Sequence, residues 1–144
     1  MCKDECKLSI QYLLHRRTQV QSALSRAKTE MVTAQTKLER LKQAKVAMNQ
    51  LISEISRVHQ KLQSLPISSE DWQGTTEKDY RSGPKSNIET SVSNYVDHLN
   101  DASYQIDQEI QRLMIQIDSY NSQISSYSST VALLNHEIRN LRSE

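Results

Sequence analysis

Apolar residues recur along the first half of the chain at alternating steps of three and four: Leu24, Ala27, Met31, Ala34, Leu38 and Leu41. The series resumes as Met48, Leu51 or Ile52, Ile55, Val58, Leu62 and Leu65. Such alternation keeps one narrow stripe on one side of an α-helix, the seam of a coiled coil. Around Ala44 and Lys45 the apolar pattern breaks, which reads as a small phase shift. Leu65-Pro66 ends the segment, because proline lacks an amide donor and pushes its predecessor out of the helical region. The spacing predicts a helix over about residues 4–64.

A second seam follows: Ile88, Val92, Tyr95, Leu99, Ala102, Ile106, Ile110, Leu113, Ile117, Tyr120, Ile124, Tyr127, Val131, Leu134, Ile138 and Leu141. One extra residue enters between Ile106 and Ile110, read as a local change of supercoil. Ser86-Asn-Ile-Glu89 fits a capping box at the start of this helix, predicted over about 86–142. Between the helices, about 65–85, lies a connector with both glycines, both prolines and the single tryptophan. Trp72 and Gly74 are read as its turn motif: the indole is expected to cover the apolar seam where the chain reverses, with glycine giving backbone freedom, and a contact of Trp72 with a partner is the alternative. Two helices of near-equal length joined by a short connector predict an all-α fold. It is one domain over 1–144, a long antiparallel two-helix coiled-coil hairpin with a Trp-Gly-containing connector.

Composition agrees with few, long elements. Hydrophobic residues are only 36% of the chain, Phe is absent, and Gly and Pro number two each. The net charge of +1 hides an asymmetry. Residues 1–65 hold 12 Lys/Arg and 5 Asp/Glu, whereas residues 66–144 hold 6 and 12. A basic half alone would point to nucleic acid. An acidic half of similar length gives a simpler account, since oppositely charged helices attract one another. No nucleic-acid partner is expected. No apolar run approaches the roughly 20 residues that a bilayer crossing needs, so no membrane insertion is expected. The charged start Met1-Cys-Lys-Asp-Glu-Cys-Lys7 lacks the apolar core of a secretory signal. The expected location is the cytoplasm, with signal-independent co-export alongside a partner left open.

The chain offers little for catalysis. His15, His59, His98 and His136 are scattered singly. In a hairpin whose facing residues add to about 150, His15 and His136 are neighbours, yet nothing nearby completes a metal set. Cys2 and Cys6 read as two unpaired thiols. There is no glycine-rich phosphate loop and no nucleophile elbow. No enzyme activity, cofactor or metal is expected.

A two-helix hairpin has a thin core and leaves apolar flanks open. At its open end the stripe widens, with Ile10, Leu13 and Leu14 on one helix and Val131, Leu133 and Leu134 on the other. Leu13, Leu14, Tyr120, Ile124, Tyr127, Val131, Leu134 and Ile138 are therefore candidate contacts for a further helical protein or a second copy. Tyr120 and Tyr127 sit at seam positions, where a ring with a polar tip suits either the hairpin interior or an incompletely dry interface. Six serines between Ser119 and Ser129 cost roughly 0.5 kcal/mol each in helix propensity, so this stretch needs packing to stay helical.

The order of these features resembles the WXG superfamily of Gram-positive bacteria: a long helix, a connector with Trp72-Gln-Gly74, and a second long helix. The helices are longer than in the small WXG proteins. The whole chain is more similar to the YwqH-like family, helical proteins associated with LXG-domain toxins. The likeness runs through Leu38-Glu-Arg-Leu41, the junction Leu65-Pro-Ile-Ser-Ser-Glu-Asp-Trp72 and the Ile/Tyr/Ser-rich second helix. That resemblance implies a targeting factor or chaperone for type VII secretion, with an LXG toxin or another small WXG-like protein as partner. The Tyr-x-x-x-Asp/Glu export signal of WXG substrates is absent: Leu99, Gln108, Ile124 and Val131 stand four residues after Tyr95, Tyr104, Tyr120 and Tyr127. A partner would then supply the recruiting signal. The alternatives are a structural self-assembling coiled coil and a prefoldin-like chaperone subunit. The connector has too few alternating β-formers for prefoldin's hairpins.

Overall fold

The computed structural model describes residues 2–64, 83 and 85–144. Two helices, α1 (Cys2–Gln63) and α2 (Ser86–Ser143), pack against each other as a helical hairpin. Ser64 closes the end of α1 by donating its amide to the Gln60 carbonyl (3.0 Å) and its hydroxyl to the Lys61 carbonyl (3.3 Å). α2 opens on Ser86, with Glu89 in its first turn, where a carboxylate complements the amino end of the helix. The Glu89 carboxylate also lies 3.9 Å from Lys85 Nζ. The turn-motif residues Trp72 and Gly74 lie outside the described residues, as does most of the connector.

Contacts divide the chain into two units. One joins Met1–Glu39 with Gln111–Glu144, and the other is Arg40–Ile110. In the first, Ala27, Ala34, Leu113, Leu134 and Ile138 are buried. Alanine on α1 lets the backbones approach and leaves room for half-buried Ile117, Tyr120 and Ile124 across the seam. In the second unit Leu99 and Ile110 are buried. Here α1 residues 40–63 carry five basic side chains and one acidic, while α2 residues 86–110 carry five acidic and none basic. The opposite charge of the two halves is thus concentrated in this unit.

Burial corrects the expected seam. Half-buried or buried positions on α1 form one continuous run, Cys6, Ile10, Leu13, Arg17, Val20, Leu24, Ala27, Met31, Ala34, Leu38, Leu41, Lys45, Met48, Ile52, Ile55, His59 and Leu62, with Leu14, Ala23 and Ser56 half-buried beside it. These steps alternate four and three throughout, so no phase shift exists at Lys45. On α2 the same alternation holds from Glu89 through Val92, Val96, Leu99, Ser103 and Ile106 to Leu141, without an extra residue before Ile110. Val58, Ile88, Tyr95 and Leu51, read as seam residues or alternates from their hydrophobicity, are exposed. His59, Val96 and Ile52 hold the inward positions instead. The breaks arose from following the apolar residue at each turn where the heptad passes through a polar one.

Three polar seam residues, Arg17, Lys45 and Ser103, are paired across the helices. Lys45 forms an ion pair with Asp107, and the Ser103 hydroxyl donates to Asn49 Oδ1 at 3.4 Å. In the other unit Arg17 Nη1 donates to Asn135 Oδ1 at 2.9 Å. The numbers of each pair add to 152, which fixes the level of facing residues within each unit. Outward threonines spend their hydroxyls locally: Thr18, Thr29, Thr33, Thr36 and Thr130 each donate to the carbonyl four residues back.

Leu113 is 2% exposed and Ile115, two residues on, is 70% exposed. Leu113→Ala is expected to lower unfolding free energy by about 2–4 kcal/mol, while Ile115→Ala stays within about 0.5 kcal/mol of wild type. Urea titrations followed by circular dichroism check both.

Candidate protein-binding surface

The unit that contains both chain ends carries the expected interface residues, and the register sorts them into two groups. Leu134 and Ile138 are 5% and 2% exposed. They face α1 at the levels of Thr18 and Leu14, so they belong to the hairpin's own seam. Leu13, Leu14, Tyr120, Ile124, Tyr127 and Val131 are half-buried, each with one edge in the seam and one toward the flank. The largest exposed apolar side chains of this unit are others: Leu8 and Tyr12 on α1, and Met114, Ile115 and Leu133 on α2. Hydrophobic periodicity missed most of these because they lie off the seam. Only Leu133 was signalled, by its place in the widened stripe.

Three grooves flank the seam of this unit. A groove of about 280 Å³ has Tyr12, Leu13 and Arg16 on one wall and Thr130, Leu133, Leu134 and Glu137 on the other. Tyr12 is 62% and Leu133 64% exposed at its lip, while Leu134 forms its floor. Arg16 and Glu137 stand on opposite walls at one level of the register, and neither makes an ion pair among the described residues. A wider recess of about 480 Å³ at the chain ends has Ile10 and Leu141 as its apolar part, ringed by Lys3, Lys7 and Arg142. Cys6, a free thiol, lines it too.

The third groove, of about 270 Å³, lies over Ala34 and Leu113 and is lined by hydrophilic side chains including Thr33, Lys37 and Gln116. Gln116 Nε2 donates to Tyr120 Oη at 3.1 Å, one turn away on the same helix. Tyr120 therefore satisfies its hydroxyl within α2 while its ring packs over the small residues of α1.

Arg17 is the one charged residue in the seam of this unit. Its Nε is buried without a hydrogen-bond partner, and its guanidinium is held by Asn135. His15 and His136 are both exposed and share a level, but His136 Nε2 lies 3.3 Å from Asn140 Nδ2. Among the described residues no group of three or more His, Cys, Asp or Glu is placed to hold a metal ion. No described helix is long and apolar enough to cross a membrane.

The fold is a two-helix coiled-coil hairpin with open grooves along the flanks of its seam. A family model matches residues 15–143, nearly the whole chain, and the protein belongs to the YwqH-like family. No curated protein and no solved structure matches it.

Asn135→Leu is expected to cost about 1–3 kcal/mol, because it strands the Arg17 guanidinium. The double substitution Arg17→Leu with Asn135→Leu is expected to recover that loss. A double-mutant cycle from urea unfolding reads the coupling directly.

Proposed function

We propose that this chain is a non-enzymatic binding factor that engages the helical N-terminal domain of an LXG-type toxin and presents it for type VII secretion. The observation that carries the reading is the family match over residues 15–143, the family that the Trp72-Gln-Gly74 connector and the two long helices resemble. The chain-end unit supports it physically. It leaves half-buried Leu14, Ile124 and Val131 along one edge of the seam, in reach of an added helix. A helix laid there completes burial of side chains that a two-helix hairpin covers on one side only.

In this reading the chain recruits by packing and its partner provides the export signal, consistent with the missing Tyr-x-x-x-Asp/Glu motif. Binding takes place in the cytoplasm, before any export. A purely structural spacer would need no foreign partner, and this separates the two readings.

Co-expression with the product of a neighbouring LXG-type gene is expected to give a stable complex that co-purifies through size exclusion. Leu14→Glu is expected to weaken that complex at least tenfold while helicity is kept, the scale of a well-packed interface side chain, about 1.4 kcal/mol or more. A toxin domain that elutes alone beside a folded hairpin would contradict the reading.

A further inference from the structure

We infer that the groove between Tyr12 and Leu133 is a self-association surface, occupied by the same groove of a second copy. The inference goes beyond toxin binding and does not rest on it.

The groove is apolar at its centre and carries one unpaired charge on each wall. Tyr12, Leu13, Leu133 and Leu134 form the apolar part, with Arg16 on the α1 wall and Glu137 on the α2 wall. The numbers 16 and 137 add to 153, against 152 for facing pairs, so these charges share a level. A two-fold axis parallel to the helices places α2 of one copy over α1 of the other without changing levels. Arg16 of each copy then meets Glu137 of its mate, and two reciprocal ion pairs close. An isologous interface requires this kind of self-complementarity, in which each patch carries both halves of the match. Helices brought together by this axis also run antiparallel, as the two within each copy do, and opposed helix dipoles favour that arrangement.

The facing wall is suited to close approach. From Ser119 to His136, α2 has no Lys, Arg, Asp or Glu, in a chain where 24% of residues are charged. A mate's α1, which brings Arg16, Glu30 and Lys37 along this flank, meets no like charge on α2 between Ser119 and His136. The flank from Tyr12 to Lys37 is about 38 Å of helix and about 20 Å wide across two helices. Contact along it covers about 750 Å² per copy, or about 1,500 Å² in total, within the range of specific protein interfaces.

Sedimentation equilibrium on the full chain alone, across the micromolar range, tests the inference. Wild type is expected to be a dimer. Arg16→Glu and Glu137→Arg are each expected to raise the dissociation constant at least tenfold, because each places like charges face to face. Combining R16E with E137R is expected to restore it to within about threefold, since the reciprocal pairs re-form with signs exchanged. Leu133→Glu is expected to yield monomer, whereas Ile115→Glu, on an exposed position outside the groove, leaves the dimer intact. Circular dichroism confirms that each variant is folded. A monomeric wild type, single reversals without effect, or a folded double variant that stays monomeric would overturn the inference. Toxin co-purification in the same variants keeps the two proposals apart. Loss of dimer with capture intact removes only self-association, and loss of capture with dimer intact removes only toxin binding. Capture abolished by R16E in a chain that is monomeric alone assigns the groove to the foreign partner and overturns self-association.

Discussion

Everything in this protein depends on the register of the antiparallel seam. A two-helix hairpin has no second layer, so each inward side chain is covered only by what faces it on the other helix. Shifting one helix by a residue would turn buried Leu113, Leu134 and Ile138 toward the flank. Apolar packing alone specifies register weakly, because one Leu or Ile layer resembles the next. Polar seam residues discriminate more strongly, since a displaced charge loses its partner and stays half-buried. Arg17–Asn135 in one unit, with Lys45–Asp107 and Asn49–Ser103 in the other, supply that discrimination at a common sum of 152.

The two units solve the problem of a thin core differently. In Arg40–Ile110 a basic stretch of α1 lies along an acidic stretch of α2, so long-range charge favours the pairing that few buried side chains support. In the chain-end unit the charge bias largely disappears, and burial of Ala27, Ala34, Leu113, Leu134 and Ile138 takes over. That choice leaves grooves, because small residues on α1 bring the helices close without filling the flanks. The open grooves are a consequence of how the seam is packed.

Much of this was legible in the chain. Alternating steps of three and four, the break at Leu65-Pro66 and the restart at Ser86-Asn-Ile-Glu89 gave the fold class, and the Trp72-Gln-Gly74 connector gave the family. The polar seam positions were not legible. Arg17, Lys45, His59 and Ser103 interrupt the apolar pattern, so hydrophobic periodicity leads onto Val58 and Ala102 instead and mimics phase shifts where the heptad is continuous. Hydrophobicity reports what burial rewards on average. It cannot report that Lys45 is held inward by Asp107, because that pairing exists only once the helices are in register. Interface residues divided for the same reason. Leu134 and Ile138 look like Leu133 in sequence, and only the facing helix decides which is covered.

Cysteine cross-linking tests the register most directly. In a background with Cys2 and Cys6 replaced by serine, Asn49→Cys with Ser103→Cys probes one unit, and Arg17→Cys with Asn135→Cys probes the other. A fixed register predicts that each pair oxidises rapidly to a disulfide within one chain, read as a single-chain band on a denaturing, non-reducing gel. It also predicts that Asn49→Cys with Val96→Cys, one heptad out of step, does so far more slowly, because side chains about 10 Å apart cannot bridge. Faster closure of the shifted pair, or disulfides only between chains, would contradict the antiparallel hairpin and the register of its seam.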